Sequence, residues 1–165
     1  MKRILLLAAF SLTAVASTVS ANTYELPDEK PVASVTIPST WKQDKYEDGV
    51  ECVSPKNEVY LAIEGIESDS IEESVKDAIK FLKKKGVSIK KDTEKQQHLK
   101  INDMEGDEVV WEGKDEDGDC VVSLAFLQVT KKRGLMVVYW SSTDVAKKND
   151  AALATIIRSI KPIEK

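Results

Sequence analysis

Hydrophobic positions along this chain run with a period of two, change to about 3.6, return to two, and end on a second stretch of period about 3.6. Residues 33–37 alternate and are rich in β-branched side chains, which predicts a strand ending at Pro38. Pro38-Ser39-Thr40-Trp41 follows as a turn carrying an aromatic anchor. Residues 46–49 read as a second turn, residues 50–53 as a short strand, and Pro55-Lys56-Asn57 as another turn. Residues 59–66 predict a stronger strand. Val59, Leu61 and Ile63 share one face of it, and Tyr60, Ala62 and Ile66 share the other. The period then changes. Ile71, Val75, Ala78, Ile79 and Leu82 recur at helical spacing and predict a helix over 71–85. Ser70 and Glu73 have the spacing of a capping box. Lys83 to Lys85 fill the last turn, where cations offset the helix dipole, and Gly86 supplies a stop.

From residue 87 the pattern returns to strands, over 87–91, 98–101, 104–113, 119–130 and 135–141. Turn signals separate them at Asn102-Asp103, at Asp115-Glu116-Asp117-Gly118 and at residues 131–134. The last strands are apolar on both sides. Val122, Leu124 and Phe126 oppose Val121, Ala125, Leu127 and Val129, and Met136, Val138 and Trp140 oppose Leu135, Val137 and Tyr139. A sheet with one wet face would alternate with polar residues, so both faces require cover. The chain supplies a second helix over about 147–159, with Leu153, Ile156, Ile157 and Ile160 on one stripe and Pro162 as its stop. The expected fold is α+β: an antiparallel sheet of about six or seven strands with helices on both faces, an α/β/α sandwich. Residues 22–32, polar and carrying Pro27 and Pro31, read as a flexible or extended arm before a single domain over 33–165.

This order of elements carries three local marks. Ile37-Pro38-Ser39-Thr40-Trp41 closes the first strand, Ser70-Ile71-Glu72-Glu73 opens the first helix, and Ile156-Ile157-Arg158-Ser159-Ile160-Lys161-Pro162 ends the last. Over roughly residues 33–162 the chain resembles the PsbP-like α/β/α sandwich superfamily. That superfamily includes the extrinsic photosystem II protein, a Ran-binding nuclear-import factor and many small bacterial exported proteins. The resemblance implies the sandwich fold and a role in binding or assembly. It implies no catalytic motif, and no Ran-binding or photosystem-docking residue maps onto this chain. Fold alone does not give function.

The first 21 residues set the expected compartment. Met1-Lys2-Arg3 is a basic start, residues 4–15 are almost wholly apolar, and Val19-Ser20-Ala21 is a small-residue end. This is the layout of a secretory signal peptide cut before Asn22. The apolar run is shorter than the ~20 residues of a membrane anchor. The first cysteine is Cys52, so a lipoprotein anchor is not expected. The mature chain, residues 22–165, is expected in the periplasm or outside the cell, with no membrane anchor. Removing Lys2 and Arg3 takes the net charge from −4 to −6. An acidic domain has no electrostatic reason to seek nucleic acid. In an oxidising compartment Cys52 and Cys120 are a candidate disulfide, contributing roughly 4 kcal/mol through the long loop it would close. Two buried free thiols are the other reading.

Catalytic chemistry is sparse. His98 is the single histidine, so neither a histidine-based metal site nor a Ser-His-Asp triad is well supplied. Asp115, Asp117 and Asp119 tempt a calcium reading, but the glycine and glutamate that an EF-hand loop needs are replaced by Cys120 and Phe126. No phosphate-binding glycine pattern occurs. No cofactor and no metal are expected. Trp41, Trp111 and Trp140 read first as core anchors. Trp111, on a strand that turns acidic just after it, is the candidate partner contact if it is exposed.

The expected function is therefore a non-enzymatic binding or accessory module of the bacterial cell envelope, contacting another protein. A small hydrolase using carboxylates and a carrier of a small apolar ligand are the alternatives. Convergent carboxylates in a deep pocket would favour the hydrolase, and a closed apolar pocket between sheet and helix would favour the carrier. The intact mass of the exported protein is expected to match a chain beginning at Asn22. A mass retaining residues 1–21 would refute the signal peptide.

Overall fold

The computed structural model describes residues 20–147 and 151–163. The expected signal segment lies outside them apart from Ser20 and Ala21. In chain order the elements are β1 (Ala21–Leu26), β2 (Ala33–Pro38), β3 (Lys42–Lys45), β4 (Gly49–Val53), β5 (Val59–Glu67), α1 (Ile71–Lys84), β6 (Ser88–Ile89), β7 (Lys95–Ile101), β8 (Met104–Asp115), β9 (Gly118–Gln128), β10 (Arg133–Ser142), α2 (Thr143–Lys147), α3 (Ala151–Ser159) and β11 (Lys161–Pro162).

The main sheet is antiparallel, in the order β3-β4-β5-β10-β9-β8. β6 and β7 both pair with the outer side of β8, β6 at Gly113 and Lys114 and β7 from Met104 to Val110. They form one broken edge, so the sheet is seven strands wide, as the pattern predicts. Its two faces are two separate cores. Val59, Leu61, Ile63, Leu127, Leu135 and Val137 point to one, and Tyr60, Ala62, Val122, Leu124, Met136 and Val138 to the other. The second core is covered by α1 through Ala78 and Leu82. The first is covered by α3, through Ile156, and by a smaller sheet of order β1-β2-β11. Helices therefore lie on both faces. The small sheet sharing one of them is a feature the periodicity did not show.

Turn chemistry follows the sequence closely. Asn102 has φ 52° at the β7–β8 turn. At the β8–β9 hairpin Asp115 Oδ1 accepts the backbone N–H groups of Asp117 and Gly118 at 3.0 and 3.1 Å, and Gly118 takes φ 130°. α1 ends as expected at Gly86, whose φ is 83°. The Gly86 N–H donates to Lys83 and the Val87 N–H to Leu82, which closes the helix in a Schellman turn.

Several expectations are corrected. The capping box does not form: residues 68–70 make a tight 3₁₀ turn, and Ser70 sits at φ −102°, ψ 7° with no side-chain cap. Outside the extended conformation of an N-cap residue, its hydroxyl is not aimed at the free amides. The helix expected over about 147–159 is present in the described residues as α3, Ala151–Ser159, and a short helix the periodicity did not show, α2, covers Thr143–Lys147 before it. Of the flexible or extended arm expected over residues 22–32, the extended alternative holds. Most of β1 falls there, Leu26 and Val32 are buried in the first core, and the Asp28 N–H donates to the Glu47 carbonyl at 2.9 Å. The polar positions of β1 face solvent because the small sheet has one wet side, so composition left the flexible alternative open.

The expected Cys52–Cys120 bridge is absent: both are buried free thiols. Cys52 lies in the first core and Cys120 in the second, with the sheet between them. β5 and β10 also separate their strands, a lateral offset of roughly 14 Å at ~4.8 Å per strand, whereas a bridge needs Cα atoms within about 7 Å. Burial pushes the Cys52 thiol up to about 12 and the Cys120 thiol to about 11, so neither forms thiolate readily at neutral pH. Intact mass is expected to be the same with and without reductant. Both thiols should react with Ellman's reagent after denaturation and slowly before it. A two-hydrogen mass difference on reduction would contradict this arrangement.

Candidate functional site: an acid–aromatic pocket beside α1

The second core is roofed by one helix. A helix with its side chains is roughly 10–12 Å across, and seven strands span about 29 Å. α1 rests on Ala78 and Leu82, and uncovered sheet remains on both flanks. Asp77 and Phe81 face one flank, over β4 and β5, and Val75, Ile79 and Lys83 face the other.

The first flank holds a pocket of about 320 Å3, lined by Tyr46, Glu51, Tyr60, Glu64, Asp77 and Phe81 among others. Strand register builds it. Glu51 pairs with Ala62 and Gly49 with Glu64, so Glu51 and Glu64 are diagonal neighbours on one face, with Cα atoms roughly 7 Å apart. The 46–49 turn, closed by the Tyr46 N–H to Gly49 carbonyl bond at 2.9 Å, sets Tyr46 at the rim. Tyr46 donates its hydroxyl to Glu64 Oε2 at 3.3 Å, and Tyr60 donates to Glu51 Oε2 at 2.5 Å. The Tyr60 ring is stacked on Trp140 at 3.9 Å, and Phe81 tilts against both. The inner wall is thus a fixed aromatic stack, and Tyr46, 38 % exposed, is the accessible side.

The electrostatics are one-sided. Burial, reinforced by Glu64, pushes the Tyr46 hydroxyl up, and burial together with the Glu51 hydrogen bond does the same to Tyr60. Both phenols remain protonated donors. Glu64 is raised above the usual carboxylate range, chiefly by burial, with the Tyr46 hydrogen bond opposing and Asp48 and Asp77 adding to the rise. Among the described residues neither Glu51 nor Glu64 forms an ion pair. Two carboxylates without a counter-cation, bordered by aromatic faces, form an environment suited to an ammonium or guanidinium group.

The residues singled out from sequence lie elsewhere. Trp111 is 7 % exposed, and its indole N–H donates to Glu94 Oε2 at 3.2 Å, so the exposure required of a contact residue is absent. Cys52 and Cys120 are core residues. His98 is exposed on the β7 edge, with Nδ1 3.2 Å from Asp107 Oδ1. Asp115 serves its own hairpin. Among the described residues no three histidine, cysteine, aspartate or glutamate side chains converge on a metal position, and no helix is long and apolar enough to cross a membrane. The pocket was missed in the sequence, although one signal for it was present. Glu64 falls on the same face as Tyr60 and Ala62 in an otherwise apolar strand, and a carboxylate at an inward position of such a strand needs a reason.

The architecture defines a PsbP-like fold, an α/β/α sandwich around an antiparallel sheet. The chain is similar to the cyanobacterial PsbP of Synechocystis, with a TM-score of 0.58 and 9% identity over 95% of this chain and 99% of that one. It is also similar to a protein of Bacteroides thetaiotaomicron, with a TM-score of 0.57 and 12% identity over 87% of this chain, and it spans 48% of that protein's length. At these identities the likeness is one of fold. No protein-family model and no curated protein matches the sequence.

Glu64 also sets a pH dependence. With its folded value above its unfolded one, the folded state holds the extra proton between the two, and stability falls as pH rises through that window. Glu64→Gln, which keeps an acceptor for Tyr46, is expected to raise the melting temperature at pH 7. Its advantage should shrink as pH falls towards 4. Thermal unfolding of both forms at the two pH values measures this.

Proposed function

We propose that this chain is an exported, non-enzymatic binding module of the bacterial cell envelope. It contacts another protein by seating a lysine or arginine side chain in the acid–aromatic pocket. The observation that carries this reading is the pair Glu51 and Glu64, partly buried, hydrogen-bonded to tyrosines and without an ion-pair partner among the described residues. A partner's cation would supply the missing charge, with Tyr46 offering its ring at the rim; the Phe81 ring already carries the Lys85 ammonium at 5.3 Å. The signal-like residues 1–21 support export, and the PsbP-like fold is compatible with an accessory role.

A carboxylate hydrolase is the second reading. It rests on Glu64, because a raised carboxyl in a cleft is what a general acid needs. The pocket favours binding over turnover. Its 320 Å3 is at the lower limit of small-molecule sites, room for one side-chain-sized group, and Glu51 Oε2 is already engaged by Tyr60.

Tagged chain beginning at Asn22 is expected to enrich an envelope protein from extracts. Enrichment should fall at least about tenfold with Glu51→Gln/Glu64→Gln, and the complex should weaken as salt is raised. Equal capture by the double variant would remove the pocket from the interface. Hydrolysis of a substrate panel by the wild type, lost in Glu64→Gln, would establish the hydrolase instead.

A further inference from the structure

The opposite flank of α1 has different chemistry. Val75 and Ile79 of the helix face Val87, Ile89, Val109 and Trp111 across a groove of about 650 Å3. The groove follows from the chain path. The Schellman turn at Gly86 sends the backbone directly from the helix end to the two-residue strand β6, which covers only one end of β8. Ile79, although on the apolar stripe of α1, is left 37 % exposed.

The polar groups here are few and unevenly satisfied. Glu94 is occupied, its Oε2 accepting the Trp111 indole N–H and its Oε1 accepting Gln96 Nε2 at 3.0 Å. Lys83 and Lys91 also line the groove, both are exposed, and neither forms an ion pair among the described residues. The wall is thus largely hydrocarbon, and the two ammonium groups outnumber the single Glu94 carboxylate that also lines it, in a domain that is otherwise acidic. An occupant that leaves no polar group of its own unpaired against such a wall is an alkyl chain bearing one anionic head.

We propose that this groove is a binding site for a single-chain anionic amphiphile with the chemistry of a medium-chain fatty acid. The chain lies along Val75, Ile79, Val87, Ile89 and Val109, and the carboxylate sits between Lys83 and Lys91. The volume falls in the range of small-molecule pockets. This site is independent of the acid–aromatic pocket, which faces the other flank of the helix.

Calorimetric titration of the chain beginning at Asn22 with dodecanoate, below its micelle concentration, tests the proposal. Saturable one-to-one binding is expected, tightening about fourfold per added methylene from octanoate upward until the groove is filled. Dodecyltrimethylammonium, with the same chain and the opposite charge, is expected to bind at least about tenfold more weakly. Ile79→Glu changes an already exposed position and should abolish binding while leaving the circular dichroism spectrum and thermal unfolding intact. Lys83→Gln/Lys91→Gln should weaken dodecanoate roughly fivefold and leave dodecanol unchanged. Glu51→Gln/Glu64→Gln should leave dodecanoate binding unchanged, which separates this site from the other pocket. The proposal is overturned by the absence of saturable dodecanoate binding, by equal affinity for the cationic amphiphile, or by binding that survives Ile79→Glu. Binding of an apolar peptide in place of dodecanoate would assign the groove to a protein partner and overturn it as well.

Discussion

Apolar side chains on both faces of β5, β10 and β9 are the constraint on which the rest of the molecule depends. A strand that is wet on one side can end a fold, whereas a strand that is dry on both sides needs a layer above and a layer below. Every other element can be placed by asking which layer it supplies. α3 and the small sheet β1-β2-β11 complete one layer, and among the described residues α1 is the one helix that supplies the other. Exposing either core would return several large side chains to water, each worth about 1.5–3 kcal/mol when fully buried.

The two layers are unequal, and the inequality creates the surface features. Where a helix and a sheet share the cover, Leu26, Val32 and Ile160 are drawn fully into the core. Where a single 14-residue helix provides the cover, it spans less than half of the width beneath it. The uncovered strips have opposite characters because different strands floor them. β4 and β5 bring Glu51, Tyr60 and Glu64 to one, and β6 and β8 bring Ile89, Val109 and Trp111 to the other. One helix therefore separates an acidic, aromatic pocket from an apolar groove with a basic rim.

The central sheet also explains the state of the cysteines. Cys52 and Cys120 occupy inward positions on opposite faces, and each packs as a small apolar side chain. The oxidising compartment expected from the leader supplies a reason to form a bridge. The sheet removes the geometry needed for one. Compartment constrains chemistry only where the fold brings the reacting atoms together.

Much of the architecture was legible in the sequence, because it depends on short-range rules that act over two to seven residues. Strand alternation assigned the faces of β5, β9 and β10, the 3.6-residue stripe located α1, and Gly86, Asn102 and Gly118 marked turns through their tolerance of positive φ. β1 and β3 were not legible, since an edge or half-wet strand of polar residues has the composition of a loop and is ordered only by its partner. The capping box failed for a related reason: backbone conformation at Ser70 is set by the preceding turn, which the motif spacing does not encode. The candidate sites were the least legible part. Glu51 and Glu64 are 13 positions apart in the chain and become neighbours only through the β4–β5 register, and Ile79 is exposed only because α1 has more width of sheet to cover than it can reach. The sequence by itself determined the faces of the central strands and the positions of most helices and turns. Tertiary structure alone decided which carboxylates meet, which thiols are kept apart and where cover runs out, because these depend on register and layer width, quantities that no local pattern carries.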